Sequence, residues 1–280
     1  YTFGRGAHPP TGVNAAIITQ FILSRARGEF EFIGRPDNYG ALDTAVDGRD
    51  AAAFTKVRAG MARAFKHQSG QIIVFHQPRY CAQIDQQFEV KKGDTKIVGD
   101  DTIKNAKGAN IPPPNFGLDA TGNGSAVWAY MCSIWGEVLG VEFFDPSTNI
   151  KILAEDKATP EELYQRLNTE LWYALKYWLE FGFCAIAPGV RKEPLESELL
   201  GRRYELGEGK LLRVEDKKEF KKRLGHSPDF ADSATVFLHT IRMRNKLKPS
   251  LRGDAPPLPK KQSNQRPSVV ESIDWLKESV

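Results

Sequence analysis

Two short apolar runs, far apart in the chain and each closed by an aspartate, most constrain how it can fold. Tyr39-Gly40-Ala41-Leu42-Asp43 and Asn115-Phe116-Gly117-Leu118-Asp119 are too short for helices and show no polar alternation. Such runs read as short buried strands. In α/β folds, functional groups collect at the carboxyl ends of strands, which is where Asp43 and Asp119 stand. If the two strands are neighbours, these acids lie side by side.

A third acid comes from a different kind of element. Gly225-His226-Ser227-Pro228-Asp229-Phe230-Ala231-Asp232-Ser233 lies between the basic run Lys217 to Arg223 and the apolar helical run Ala234 to Ile241. Ser227 is expected to cap a helix, with Pro228 in its first turn. Asp229 and Asp232 then share one helical face. Taken alone, an acid there simply suits the helix dipole. A helix crossing above the strand ends would instead deliver Asp232 to Asp43 and Asp119. Three carboxylates packed together repel one another and take up protons unless a cation sits among them. Oxygen donors without a nearby Cys or His pair favour Mg²⁺ or Mn²⁺ over zinc. Two such ions about 3.5–4 Å apart suit in-line displacement at a phosphodiester.

The remaining elements follow from periodicity and turn residues. A helix is expected over Val13 to Arg27 and a turn over Gly34 to Asn38. Asp47-Gly48 marks a hairpin. Strands over Ala51 to Ala59 and Gln71 to His76 complete an antiparallel meander with the first strand. Arg79 to Glu89 is expected to be helical, and residues 91–114 an irregular insertion ending in Pro112-Pro113-Pro114. A helix over Ser125 to Gly136, a strand over Val138 to Phe144 and one long helix over Pro160 to Phe181 come next. Arg202 to Val214 reads as a hairpin and Asp216 to Leu224 as a basic helix. After the Asp232 motif a helix runs to about Asn245. Residues 246–267 are Pro-rich, basic and expected to be disordered. An amphipathic helix is expected over 268–280. Together these elements indicate α/β architecture with a mixed sheet.

A net charge of +4 over 280 residues argues little for nucleic acid, so local clustering matters more. Lys217, Lys218, Lys221, Lys222 and Arg223 lead into the Asp232 motif as candidate phosphate contacts. Arg202 and Arg203 on the hairpin are secondary candidates. A solvated helix face is the plain alternative. Contacts of this kind position DNA without reading its sequence. Thr121 to Gly124 suits either a plain strand–helix turn or a phosphate cradle at a helix start. His67, His76 and His226 have no ligand spacing, and Trp172 and Trp178 read as core. Cys81, Cys132 and Cys184 form no zinc or disulfide pattern, which favours a reducing compartment. No apolar run reaches membrane-spanning length.

At the acids the sequence resembles a known family. Asp43 followed by Asp47-Gly48-Arg49-Asp50, then Leu118-Asp119-Ala120-Thr121-Gly122-Asn123-Gly124, then Ser227-Pro228-Asp229-Phe230-Ala231-Asp232 resembles the C-terminal nuclease domain of tailed-phage large terminase subunits. The resemblance runs from about Tyr39 to Arg242. It implies a ribonuclease H-like fold and a metal-dependent endonuclease that cuts concatemeric double-stranded viral DNA during packaging. Asp43, Asp119 and Asp232 match the metal-binding acids, and Asp229 an accessory ligand. The implied cofactors are two Mg²⁺ or Mn²⁺ ions, with an activated water as nucleophile. The implied partners are DNA, a packaging ATPase domain, the small terminase subunit and the portal of the procapsid. The implied setting is the host cytoplasm. The chain has no Gly-x-x-x-x-Gly-Lys-Ser/Thr loop, so the ATPase is expected to have been cut away or to lie on another chain. On this reading residues 1–37 are a connection from it, 38–245 the nuclease and 246–280 a tail whose end contacts the portal or procapsid. Two alternatives stay open: another nuclease of the same fold, such as a junction resolvase or transposase, and a non-catalytic DNA-clamping or scaffolding module.

Overall fold

The two acid-ended runs are adjacent parallel strands. The computed structural model describes residues 16–44, 52–207, 209 and 211–251. Within them β1 spans Gly28–Phe32, β2 Asp37–Asp43, β3 Ala53–His67, β4 Ile72–Glu89, β5 Phe116–Asp119, β6 Leu139–Val141 and β7 Cys184–Ile186. They form one seven-stranded mixed sheet in the order β6-β5-β2-β3-β4-β7, with β1 paired to β3. Leu42 pairs with Leu118 in parallel, which sets Asp43 and Asp119 side by side at one end of the sheet. The β2–β3–β4 meander is antiparallel, as expected. The Asp47-Gly48 turn falls outside the described residues.

Helices cover both faces. α1 (Gln20–Ala26), α5 (Leu167–Glu180) and α8 (Asp229–Asn245) lie on one side, and α2 (Thr95–Gly108) and α3 (Gly124–Ile134) on the other. β2 serves both layers by alternation: Tyr39 and Ala41 join the α5/α8 core, and Leu42 joins the α2/α3 core. α6 (Leu195–Gly201), the β8–β9 hairpin (Tyr204–Leu206, Leu212–Val214) and α7 (Lys217–Leu224) flank the acids, and α4 (Pro160–Leu163) precedes α5.

Several expectations need correction. Arg79 to Glu89 is strand, not helix. Its Ala and Gln content favours a helix locally, but β3 pairs along one edge and β7 along the other, and cross-strand packing prevails. Residues 91–114 are not irregular throughout, because Thr95–Gly108 forms α2. Asp94 caps α2 by accepting the Ile97 amide at 2.9 Å, and Gly99 lets Tyr130 of α3 pack against the helix backbone. The long helix over 160–181 is two helices, because Tyr164 bridges to Leu212 between them. Residues 16–37 supply α1 and β1 to the same body. Residues 246–251 also pack: Leu247 is buried and the Ser250 hydroxyl meets Glu155. The rest of the expected tail and its terminal helix fall outside the described residues. No helix among the described residues is long and apolar enough to cross a membrane.

α8 carries a built-in acid sensitivity. His239 is buried, and burial, helped by the Arg242 charge, pushes its imidazole down to about 3. The folded-state value lies below the usual value near 6.5, so this stabilisation is full above pH 6.5 and fades as pH falls towards 3. The loss should run at about 1.4 kcal/mol per pH unit. Between pH 7 and pH 5, chemical denaturation should show the parent losing about 2 kcal/mol more than His239→Leu. Equal losses would show that the imidazole takes its proton inside the fold without penalty.

Candidate active site

Asp43, Asp119 and Asp232 converge although three separate elements carry them. Asp43 ends β2, Asp119 ends β5, and Asp232 sits in the first turn of α8. The close crossing of α8 over β5 depends on Gly117. A Cβ there would lie 2.1 Å from the Thr240 hydroxyl and 3.1 Å from Val236. All three acids are buried, with Asp232 fully so. Asp229 lies one turn before Asp232 on the same helix and lines the adjoining cleft.

A lysine ammonium occupies the centre of the cluster. Lys217 Nζ stands 2.9 Å from Asp232 Oδ2, 3.2 Å from Asp43 Oδ2 and 3.8 Å from Asp119 Oδ2. It also lies 5.4 Å from the Phe143 ring centre. Burial raises the Asp43 carboxyl well above its ordinary range. Lys217 opposes that shift, and the other three acids reinforce it. Asp119 is raised for the same first reason, moderated by Lys217 and by Thr121. Burial pulls the Lys217 ammonium down, but the three carboxylates outweigh it and hold its pKa well above normal. The site is therefore a carboxylate cage built around one positive charge.

Neighbouring groups fix the carboxylates. The Trp172 indole donates to Asp232 Oδ1 at 2.9 Å, and the Thr121 amide donates to Asp119 Oδ1 at 2.9 Å. The start of α8 differs from the expected arrangement: Pro228 stands at the cap position and makes no side-chain cap bond. Glu198 of α6 takes over, accepting the Ala231 amide at 2.7 Å. Burial pushes the Glu198 carboxyl up to about 9, and Asp229 and Asp232 add to that shift. The sequence read Trp172 as core and gave no sign of Glu198, because both act through contacts distant in the chain.

The proposed basic contacts separate in space. Lys217 turns inward to the acids, while Lys218, Lys221 and Lys222 are exposed on α7. Arg223 donates to the Gly201 carbonyl and pairs with Glu215. Arg203 is half-buried, and its amide donates to Glu215. Arg202 is fully buried between the Trp172 and Phe220 rings, 5.4 and 5.5 Å from their centres. Expected at a DNA surface, Arg202 instead wedges α7 against α5. Thr121 to Gly124 forms the turn into α3, and Thr121 serves Asp119 and the Phe143 amide.

Hard oxygen donors that already enclose a positive charge suit a divalent ion. Among the described residues no three His, Cys, Asp or Glu side chains are drawn in to metal-ligand geometry. The carboxylates stand at ammonium distances, and a bare ion would need them closer by roughly 1 Å.

No protein-family model matches the chain, and no curated protein matches its sequence. Solved structures do match. The nuclease domain of the large terminase subunit gp2 of bacterial virus Sf6 is similar, with a TM-score of 0.60 and 16% identity over 80% of this chain and 98% of that one. A point mutant of that domain with calcium gives 0.58 at 16% identity, covering 80% and 99%. A mutant with manganese gives 0.57 at 15% identity, with the same coverage. These likenesses establish the fold, which is the ribonuclease H-like one expected from the sequence.

Proposed function

We propose that the chain is a metal-dependent DNA endonuclease that cuts concatemeric double-stranded viral DNA during genome packaging. The observation that carries this reading is the convergence of Asp43, Asp119 and Asp232 on a single point of positive charge at one end of the sheet. The similar terminase nuclease domains that carry manganese or calcium support it. In this reading Asp43, Asp119 and Asp232 would hold two divalent ions, Mg²⁺ or Mn²⁺, with Asp229 assisting. Once bound, the ions would supply the charge that activates water and stabilises the leaving oxygen. Trp172 and Thr121 hold the Asp232 and Asp119 carboxylates in register. Lys218, Lys221 and Lys222 would contact phosphates from the exposed face of α7. In this reading the nuclease takes in α1 and β1 as well as residues 38–245, with a connection to an ATPase ahead of it and a tail behind. The partners in this scheme are that ATPase domain, the small terminase subunit and the portal, in the host cytoplasm.

Supercoiled plasmid tests the reading. Nicking and linearisation are expected with Mn²⁺ or Mg²⁺ and none in chelator. Metal-independent binding without cutting would favour a DNA clamp, and a marked preference for branched over linear duplex would favour a junction resolvase.

A further inference from the structure

The acid cluster opens into a cleft of about 560 Å³ whose lining the hydrolysis does not explain. Asp119, Asp229 and Lys217 border it, and Phe144, Arg166 and Lys218 also line it. Phe144 is 65% exposed, whereas its neighbour Phe143 is buried. A large exposed aromatic beside a charged centre calls for a reason. The backbone on either side of it is pinned. The Phe143 amide donates to the Thr121 hydroxyl at 2.9 Å, and the Phe143 and Asp145 carbonyls accept the Asn168 and Leu167 amides at 3.2 and 2.8 Å. The Arg166 guanidinium lies 5.0 Å from the Phe144 ring centre, leaving the ring otherwise open to solvent.

We propose that Phe144 and Arg166 form a stacking platform for one unpaired base of the strand being cut, next to the scissile phosphate. This rests on the nuclease reading and adds a substrate preference to it. An exposed aromatic face with adjoining cations matches a nucleotide: the base stacks on the ring, and Arg166 and Lys218 meet its phosphates. Bases inside an intact duplex offer no free face, so the platform selects locally opened DNA. Arg166 and Phe144 are positioning and specificity residues, and the acids remain the hydrolytic group.

The test uses the full 280-residue chain and two short DNAs, a perfect duplex and the same sequence with a small internal loop carrying 2-aminopurine. Binding is measured in chelator and cutting in Mn²⁺. The parent should prefer the looped DNA by about tenfold and quench the 2-aminopurine, as expected for stacking on an aromatic ring. Phe144→Ala should lose both the preference and the quenching, yet bind plain duplex within about twofold of the parent. Because Phe144 is largely exposed, the variant should melt with the parent. No preference in the parent, or full preference in Phe144→Ala, overturns the platform. A parent that binds looped DNA through Phe144 but never cuts leaves the platform standing and removes the nuclease. A parent that cuts both DNAs alike does the reverse.

Discussion

Asp232→Asn is expected to abolish metal-dependent cleavage while leaving the fold intact. The side chain has no exposed surface, accepts the Trp172 indole through one oxygen and faces Lys217 with the other. Asparagine keeps the shape and can still accept from Trp172, but it brings no negative charge to the cage. A loss on the order of 10³-fold or more is the scale for removing a group that acts on charge developing in the transition state. Stability should fall by about 1–3 kcal/mol without unfolding the protein, because the asparagine amide then faces the Lys217 ammonium donor to donor, while Asp43 and Asp119 still serve that charge. Plasmid linearisation with thermal melting of the same sample checks both halves. Persistent cutting by a folded Asp232→Asn would place the chemistry elsewhere.

Lys217→Met should turn the stability of the protein into a function of divalent metal. Methionine fills much of the lysine stem but removes the charge that the three carboxylates enclose. Stripping one partner from a buried charge cluster typically costs about 3–5 kcal/mol. Lys217 has 37% of its side chain exposed, so solvent screening reduces the expected loss to about 2–3 kcal/mol. The carboxylates can relieve part of the strain by taking up protons, and Asp43 is already inclined to do so. In chelator the variant should therefore melt below the parent. Added Mn²⁺ should restore it, with a gain near 2.7 kcal/mol once the ion is at about 100 times its Kd. The parent should respond less, because an ion must first displace the ammonium. A destabilised variant that ignores Mn²⁺ would mean that these acids do not form a metal site.

The lysine shows how a residue can be found by sequence and still be misplaced by it. Lys217 to Arg223 is plainly basic, and α7 forms where that run predicts. Periodicity cannot tell which lysine of the run turns inward. That depends on where α7 docks, and the buried Phe220 and the wedge of Arg202 set the docking. The same fact removes Arg202 from the expected DNA surface. The misreading of Arg79 to Glu89 has a related cause. Residues of middling propensity take the structure that their neighbours impose, and those neighbours are β3 and a β7 roughly a hundred residues later. α2 was missed because its buried stripe, Val98, Thr102, Ile103 and Ala106, is thin within a polar segment. α3 and the sheet face that carries Leu42 and Phe54 give that stripe something to pack against.

The strand-end positions of Asp43 and Asp119, the helical seat of Asp232 and the mixed α/β character of the chain are all legible in local sequence. Apolar runs, turn residues and the spacing of acids are local signals, and local physics suffices to read them. Tertiary structure alone decided what those acids enclose. Parallel pairing of β2 with β5 and the close passage of α8 over Gly117 bring together carboxylates nearly 190 residues apart in the chain. Docking of α7 then sets an ammonium among them, and burial gives that charge its leverage. Charges interact through space, so their partners are fixed only when the fold closes.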